Sequence, residues 1–264
     1  MSLKDLEYGY IYQTYNGGDA FAYWTHLLGH DTYTPTVQSP MLSAHGAPTA
    51  IKIVNVADRE ILDLVVDRKR GTVIHAALYT VQECLFGPGI GLQPRKLECA
   101  DRKLMRPVFF FDELGRAGLP ISQAVLPGMV RYTQSASRSR AYSLPTRCEL
   151  EYNWPYNDEL IYRKDINIAG PDGKTVTEAT FLNAVARHLD AFVKTCTYRS
   201  DNMTRWAIGK SRKGHMITRD NILIVGLMHL GGFTWRPILQ LEGVHGLEDP
   251  YPRTRPLSLP PREP

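Results

Sequence analysis

Residues 177–197 carry an amphipathic pattern that leaves few choices for the fold. Apolar side chains recur there at the spacing of one helix face, and polar side chains such as Asn183, Arg187 and Asp190 occupy the other face. Thr175 and Glu178 stand at the spacing of a capping box, in which each side chain satisfies a free backbone N–H group of the first turn. We therefore predict a long helix that buries one stripe, formed by Phe181, Leu182, Val185, Leu189, Phe192, Val193 and Cys196.

Apolar and alternating runs predict the strands against which this helix packs. Two glycines join Ile222–Leu230 to Phe233–Leu241, and this is a strong hairpin signal because glycine readily adopts the positive φ of tight turns. Cys148–Trp154 and Leu160–Ile168 alternate and predict a second antiparallel pair. Further strands are predicted at Tyr8–Tyr12, Ala50–Val56, Glu60–Val66, Thr72–Val81 and Val108–Phe111.

Two of these segments carry additional local predictions. The turn that ends at Gly71 predicts a hairpin between Glu60–Val66 and Thr72–Val81. A helix over Val73–Phe86 is the alternative. Near the N-terminus, Asp19 is placed to cap a short helix over Ala20–Leu28.

The predicted fold class is α+β. A largely antiparallel sheet, rich in the 14 tyrosines of the chain, is packed by the 177–197 helix, with the short N-terminal helix beside it. The 264 residues, 43% of them apolar, are enough for one sizeable core. We predict a single domain over 1–249, or two subdomains fused near 107–135, followed by a Pro-rich tail at 250–264.

Cysteine usage and the N-terminal sequence predict a cytoplasmic or nuclear protein. The four cysteines are scattered without metal-ligand spacing, which is typical of reduced thiols. Met1–Tyr15 lacks the apolar segment of a signal peptide, and no apolar run reaches the roughly 20 residues of a membrane span. We therefore expect no membrane association, and no nucleotide or cofactor signature is present, so we predict no cofactor.

The stretch from residue 194 to residue 219 is the main candidate for a binding site. It is basic, and it holds a single acid, Asp201. Cations neutralise phosphates and aromatic rings stack on bases, so this pattern favours an anionic partner such as nucleic acid, whereas the alternative is a solvated loop. The leading hypothesis is a non-enzymatic binding or assembly protein that uses Lys194, Arg199, Arg205, Trp206, Lys210, Arg212, Lys213 and Arg219.

Two alternative functions remain open from the sequence. A hydrolase would use His26, His30 and Asp31 as metal ligands, or Cys84 as a nucleophile with His75 as its base. A self-assembling protein would use the Pro-rich tail, which also suits a protein partner because polyproline is preformed.

Overall fold

A mixed sheet and one long helix form the core of the protein. The computed structural model describes residues 7–15, 20, 23–24, 27, 33–37, 50–55, 60–74, 104–126, 145–152, 154–155, 162–168, 176–199, 206–210 and 216–247. The helices within these ranges are α1 (Tyr10–Tyr15), α2 (Ile121–Ala124) and α3 (Glu178–Arg199). The strands are β1 (Tyr33–Val37), β2 (Ala50–Asn55), β3 (Glu60–Leu64), β4 (Gly71–Val73), β5 (Val108–Phe109), β6 (Leu119–Pro120), β7 (Arg147–Tyr152), β8 (Tyr162–Asn167), β9 (Gly209–Lys210), β10 (Met216–Ile217), β11 (Ile222–Gly231) and β12 (Thr234–Glu242).

The hairpin of β11 and β12 is the centre of the main sheet. The described strands of this sheet run in the order β5-β11-β12-β7-β8, with β6 also paired to β11 and β4 also paired to β12. The predicted two-glycine connection is confirmed, because β11 and β12 are antiparallel and both Gly231 and Gly232 have positive φ. The predicted pair of β7 and β8 is confirmed as well.

Helix α3 covers one face of this sheet, as its amphipathic pattern predicts. All seven residues of the predicted stripe are buried, and they belong to one apolar cluster with side chains of β7, β11 and β12. The Phe181 ring meets the Trp235 ring of β12 edge to face, with 5.4 Å between the ring centroids. Edge-to-face aromatic pairs of this kind add to the stabilisation from burial.

The α3 cap differs from the predicted capping box. The reciprocal bonds join Thr177 and Thr180: the Thr180 N–H donates to Thr177 Oγ1 at 3.1 Å, and the Thr177 N–H donates to Thr180 Oγ1 at 2.9 Å. Glu178 is the first residue of the helix, and Thr175 lies outside the described residues. The cap thus lies two residues after the predicted one, because a threonine hydroxyl serves here in place of the glutamate carboxylate.

The N-terminal segment covers the opposite face of the sheet. Tyr10, Ile11 and Tyr15 of α1 pack in a second apolar cluster with Leu223, Val225 and Ile238. Ala20, Tyr23, Trp24 and Leu27 are helical, in agreement with the predicted short helix, although the residues between them are not described. The main sheet is therefore covered on both faces.

The prediction of a strand at Tyr8–Tyr12 is wrong, since Tyr10–Tyr15 is helix α1. The buried Asp63 carboxylate of β3 accepts a hydrogen bond from the Ile11 N–H, at 3.2 Å from Oδ2. This contact satisfies a backbone donor in the first turn, where a helix has none of its own. The alternation of tyrosines predicted a strand, because the residue that caps this helix lies 52 positions away and gives no local sequence signal.

The hairpin predicted between Glu60–Val66 and Thr72–Val81 is also wrong. Strand β3 pairs with β2, in a separate sheet of order β1-β2-β3, whereas β4 pairs with β12 of the main sheet. The turn between them exists, but it passes the chain from one sheet to another. Of the alternative helix over Val73–Phe86, only Val73 and Ile74 are described, and Val73 belongs to β4. The other residues of that prediction lie outside the described part of the chain.

The α+β class is confirmed, but the main sheet is mixed. Strand β7 runs parallel to β12, with Thr234 opposite Glu149. A hairpin forces neighbouring strands to be antiparallel, whereas β7 reaches β12 only through a long crossover that includes α3, so no hairpin fixes its direction. Strands β11 and β12 contain no tyrosine. Buried tyrosines lie on the helical segments, at Tyr10, Tyr15 and Tyr23, as well as in the sheet, at Tyr152 of β7.

The buried Asp63 makes a pH-dependent contribution to stability. Burial raises the pKa of its carboxyl to about 7, although backbone N–H groups stabilise the ionised form. Because the folded-state pKa lies above the ordinary value, the stabilising contribution is full below about pH 4 and is lost as the pH rises through 7. We expect the free energy of unfolding to fall across this window by up to about 1.4 kcal/mol per pH unit.

Asp63→Asn tests this expectation, because asparagine also caps helices but does not ionise. Urea unfolding of both proteins between about pH 4 and about pH 8 is the measurement. The difference between the two free energies should move in favour of Asp63→Asn as the pH rises. Parallel pH profiles would show that Asp63 titrates normally.

Candidate functional site

Four of the cations predicted to bind an anion are described, and they lie on three elements. Lys194 and Arg199 belong to the C-terminal half of α3, Lys210 to β9, and Arg219 to the turn that precedes β11. Strand β9 lies against α3, so the topology places these elements beside one another. Arg205, Arg212 and Lys213 lie outside the described residues.

Asp190 joins two of these elements. Its Oδ2 accepts a hydrogen bond from Lys194 Nζ at 2.7 Å, one helical turn further along α3, and its Oδ1 accepts one from Arg219 Nη1 at 3.3 Å. Burial opposes ionisation of Asp190, but the hydrogen bonds from Lys194 and Arg219 outweigh it and hold the pKa of this carboxyl below its usual range. Two cations that are 25 positions apart in the sequence are therefore held at one point of the surface.

Both cations remain accessible while they contact Asp190. The exposed fraction of the side chain is 64% for Lys194 and 47% for Arg219. Arg187, one turn before Asp190 on α3, is exposed too. Since Lys194 and Arg219 share the single carboxylate of Asp190, their exposed N–H groups can still bind an anion.

The backbone of residues 218–221 fixes Arg219 on this surface. The Asn221 side chain accepts hydrogen bonds from the N–H and the hydroxyl of Thr218, at 3.2 Å and 2.9 Å. The Arg219 carbonyl accepts a hydrogen bond from the Ser122 N–H of α2 at 3.3 Å. A turn that is bonded to itself and to a neighbouring helix loses little entropy when its side chain meets a ligand.

Strands β9 and β10 form a short antiparallel ladder, in which Lys210 lies opposite Met216. Residues 211–215 connect the two strands in the sequence, and they carry Arg212, Lys213 and His215. These residues lie outside the described part of the chain, and the role predicted for them stays a prediction.

The predicted stacking role of Trp206 is wrong. This side chain is 2% exposed and belongs to the apolar cluster beneath α3. The Trp206 carbonyl accepts a hydrogen bond from Trp154 Nε1 at 2.6 Å, and the two rings meet edge to face. A tryptophan inside a basic stretch suggested an exposed aromatic platform, but its large apolar surface is buried instead.

The residues of the alternative hydrolase hypotheses lie outside the described residues: His26, His30, Asp31, His75 and Cys84. Within the described ranges, no three His, Cys, Asp or Glu side chains are grouped as metal ligands would be. Cys148 is buried, and burial raises the pKa of its thiol to about 12. Because the thiolate is the nucleophile, burial disfavours a nucleophilic role for Cys148.

Sequence reasoning missed a row of charges on the other face of β7 and β8. Arg236 of β12 and Arg163 of β8 both donate to the Glu151 carboxylate of β7, and Arg163 Nε lies 2.7 Å from Oε2. Further along the same two strands, Arg147 pairs with Asp165. Alternation of charged and apolar residues in Arg147–Tyr152 is consistent with a charged outward face, but no local pattern shows that Arg236 is buried beside Glu151.

Among the residues that the structure describes, no helix combines the length and the apolar character that a membrane crossing requires. Comparison of the chain with protein-family models, with curated proteins and with solved structures found no match.

Proposed function

We propose that the protein is a binding protein for a polyanion, with nucleic acid as the partner class. The binding site is the basic surface, which we define as Lys194 and Arg219, whose side chains are accessible, together with the other predicted cations of the same stretch: Arg199, Arg205, Lys210, Arg212 and Lys213. The observation that carries this proposal is the Asp190 contact, which holds Lys194 and Arg219 together while leaving both accessible.

The chemistry of the basic surface favours contacts to phosphates over contacts to bases. Lysine and arginine donors neutralise phosphate oxygens, and the released counterions drive association. Trp206 is in the core, so the described residues of this surface offer no tryptophan ring on which a base can stack. We therefore expect binding that depends strongly on salt and weakly on nucleotide sequence.

Fluorescence anisotropy tests the proposal with a labelled single-stranded RNA, a single-stranded DNA and a DNA duplex of the same sequence. Each is titrated with the full chain between about 50 and about 200 mM salt, a range over which several phosphate contacts change the affinity by orders of magnitude. We expect log Kd to change linearly with log salt. Charge reversal at Arg212→Glu with Lys213→Glu should reduce the slope by about one for each lost phosphate contact.

Arg68→Glu with Lys69→Glu is the matched control. These two exposed neighbouring cations also lie between two strands, and the double substitution changes the net charge by the same amount. Arg68 contacts the ring of Tyr8 beside α1, which covers the face of the sheet opposite to α3. The control should bind like the original protein, and an equal loss in both double variants, or no binding at low salt, contradicts the proposal.

A further inference from the structure

Arg236 is a buried cation whose hydrogen-bonding capacity is mostly unused. It is 2% exposed, and only its Nη2 group donates to Glu151. Its Nε and Nη1 groups have no hydrogen-bond partner within the described part of the protein. Buried donors are nearly always satisfied in folded proteins, and a buried guanidinium without partners for its N–H groups is costly.

Glu151 compensates only part of this positive charge, because it also accepts a hydrogen bond from Arg163. Two guanidinium groups thus share one carboxylate. Water reaches Arg163, which is partly exposed, but Arg236 lies in a low-dielectric environment where its charge is poorly screened. An additional negative group next to Arg236 would both balance this charge and accept its free hydrogen bonds.

Helix α1 packs against Arg236 from the covered face of the sheet. The Tyr15 ring lies 5.8 Å from the guanidinium carbon, so α1 is directly against it. Thr14, which precedes Tyr15 on α1, has a buried hydroxyl without a hydrogen-bond partner in the described ranges. The buried Nε1 group of Trp24, which belongs to the same apolar cluster as Tyr15, has no hydrogen-bond partner there either. Each of these two groups can donate a hydrogen bond, so unsatisfied buried donors occur on α1 and Trp24 as well as on Arg236.

We propose that Arg236 is the anion-binding residue of a small-molecule site between α1 and β12, which takes a ligand with a carboxylate or phosphate group. Water could bond to the free N–H groups, but it would not balance the charge. A bound oxyanion does both, through charge-assisted hydrogen bonds. The site is independent of the basic surface, because Arg236 and Trp235 point to opposite faces of β12 and α3 covers only the face of Trp235.

NMR of the arginine Nε–H groups tests the proposal directly on the original protein. The full chain is titrated with sodium phosphate and, in a separate arm, with sodium benzoate, while sodium chloride keeps the ionic strength constant. We expect the Arg236 Nε–H resonance to shift and saturate with one of the two anions, which identifies the ligand group as phosphate or carboxylate. Thermal unfolding should give a Tm that rises with the concentration of the same anion.

Arg236→Lys is the matched variant, because it keeps a positive charge beside Glu151 but removes the planar group. It should lose the Tm response, whereas Arg212→Glu with Lys213→Glu should keep it, which separates this site from the proposed function. If Arg236→Lys does not fold, the Nε–H titration of the original protein still decides. An unchanged Arg236 resonance in both arms, or the same Tm response in Arg236→Lys, overturns the proposal.

Discussion

Gly71→Ala is expected to lower the free energy of unfolding by more than about 3 kcal/mol, a loss in the range of strained and overpacked substitutions. Gly71 has a φ of 143°, a conformation that side chains rarely adopt. A Cβ at this position would lie 1.8 Å from the carbonyl oxygen of Leu241 and 3.0 Å from that of Val244. Backbone atoms cannot move aside as a side chain does, so β4 would have to leave β12.

The consequences would extend beyond β4, because Gly71 starts a strand that closes one side of the sheet. Glu242 lies opposite Gly71 in the ladder, and the buried Gln240 side chain donates to the Gly71 carbonyl at 3.1 Å. The adjacent Arg70 donates to Glu242 and to the carbonyl of Ala117. Displacing Gly71 therefore disturbs the contacts that hold this turn against β12 and the 112–117 loop.

Gly243→Ala is the control for this prediction. Gly243 also has a positive φ, of 73°, but a Cβ there would meet no atom within 4 Å. Its substitution should cost only the backbone strain, on the order of 1 kcal/mol. Urea unfolding of the three proteins measures the difference, and equal losses at the two positions would show that the close approach of Leu241 to Gly71 does not govern stability.

Trp206→Ala is expected to cost about 3–5 kcal/mol of stability, the range for large buried aromatic side chains. The ring is buried in the cluster beneath α3, where it packs against Trp154. Removing it leaves a cavity and exposes the Trp154 face, while the Trp206 carbonyl keeps its hydrogen bond from Trp154 Nε1. The loss should appear in the midpoint of chemical unfolding.

Phe233→Ala is the comparison for Trp206→Ala, because Phe233 is 65% exposed at the tip of the β11–β12 hairpin. Its substitution should change the free energy of unfolding by less than about 0.5 kcal/mol. Trp206→Ala that remains folded should bind the labelled RNA with unchanged affinity, since the ring does not reach the basic surface. If Trp206→Ala kept its full stability but lost affinity for the labelled RNA, the ring would belong to the binding site and its assignment to the core would be wrong.

Local patterns predicted the elements whose signals lie within a few residues of each other. The stripe of α3 and the Gly231-Gly232 turn depend on helix spacing and on positive φ, and both are confirmed. The error at α1 has the opposite cause, because its first turn is capped by Asp63 from another sheet. The direction of β7 relative to β12 depends likewise on a crossover, which no short pattern encodes.

The candidate sites show the same distinction between local signals and contacts of residues that are distant in the sequence. Charge counting identified Lys194 and Arg219, but their meeting depends on Asp190, which the pattern showed only as a polar residue of the exposed face. The burial of Trp206 and of Arg236 follows from tertiary packing on two different faces of the sheet. Arg236 was invisible to pattern reasoning because an arginine in a strand is ordinarily exposed, and here both faces are covered.

The position of β11 and β12 in the chain has a consequence during synthesis on the ribosome. Strands β4, β5, β6 and β7 all pair with this hairpin, yet the ribosome makes them first. At ordinary elongation rates they wait on the order of 10 s or more for their partners. Their unpaired edges and apolar faces are open to aggregation during that time, so we expect the nascent chain to be most prone to misassembly until residues 222–242 have emerged.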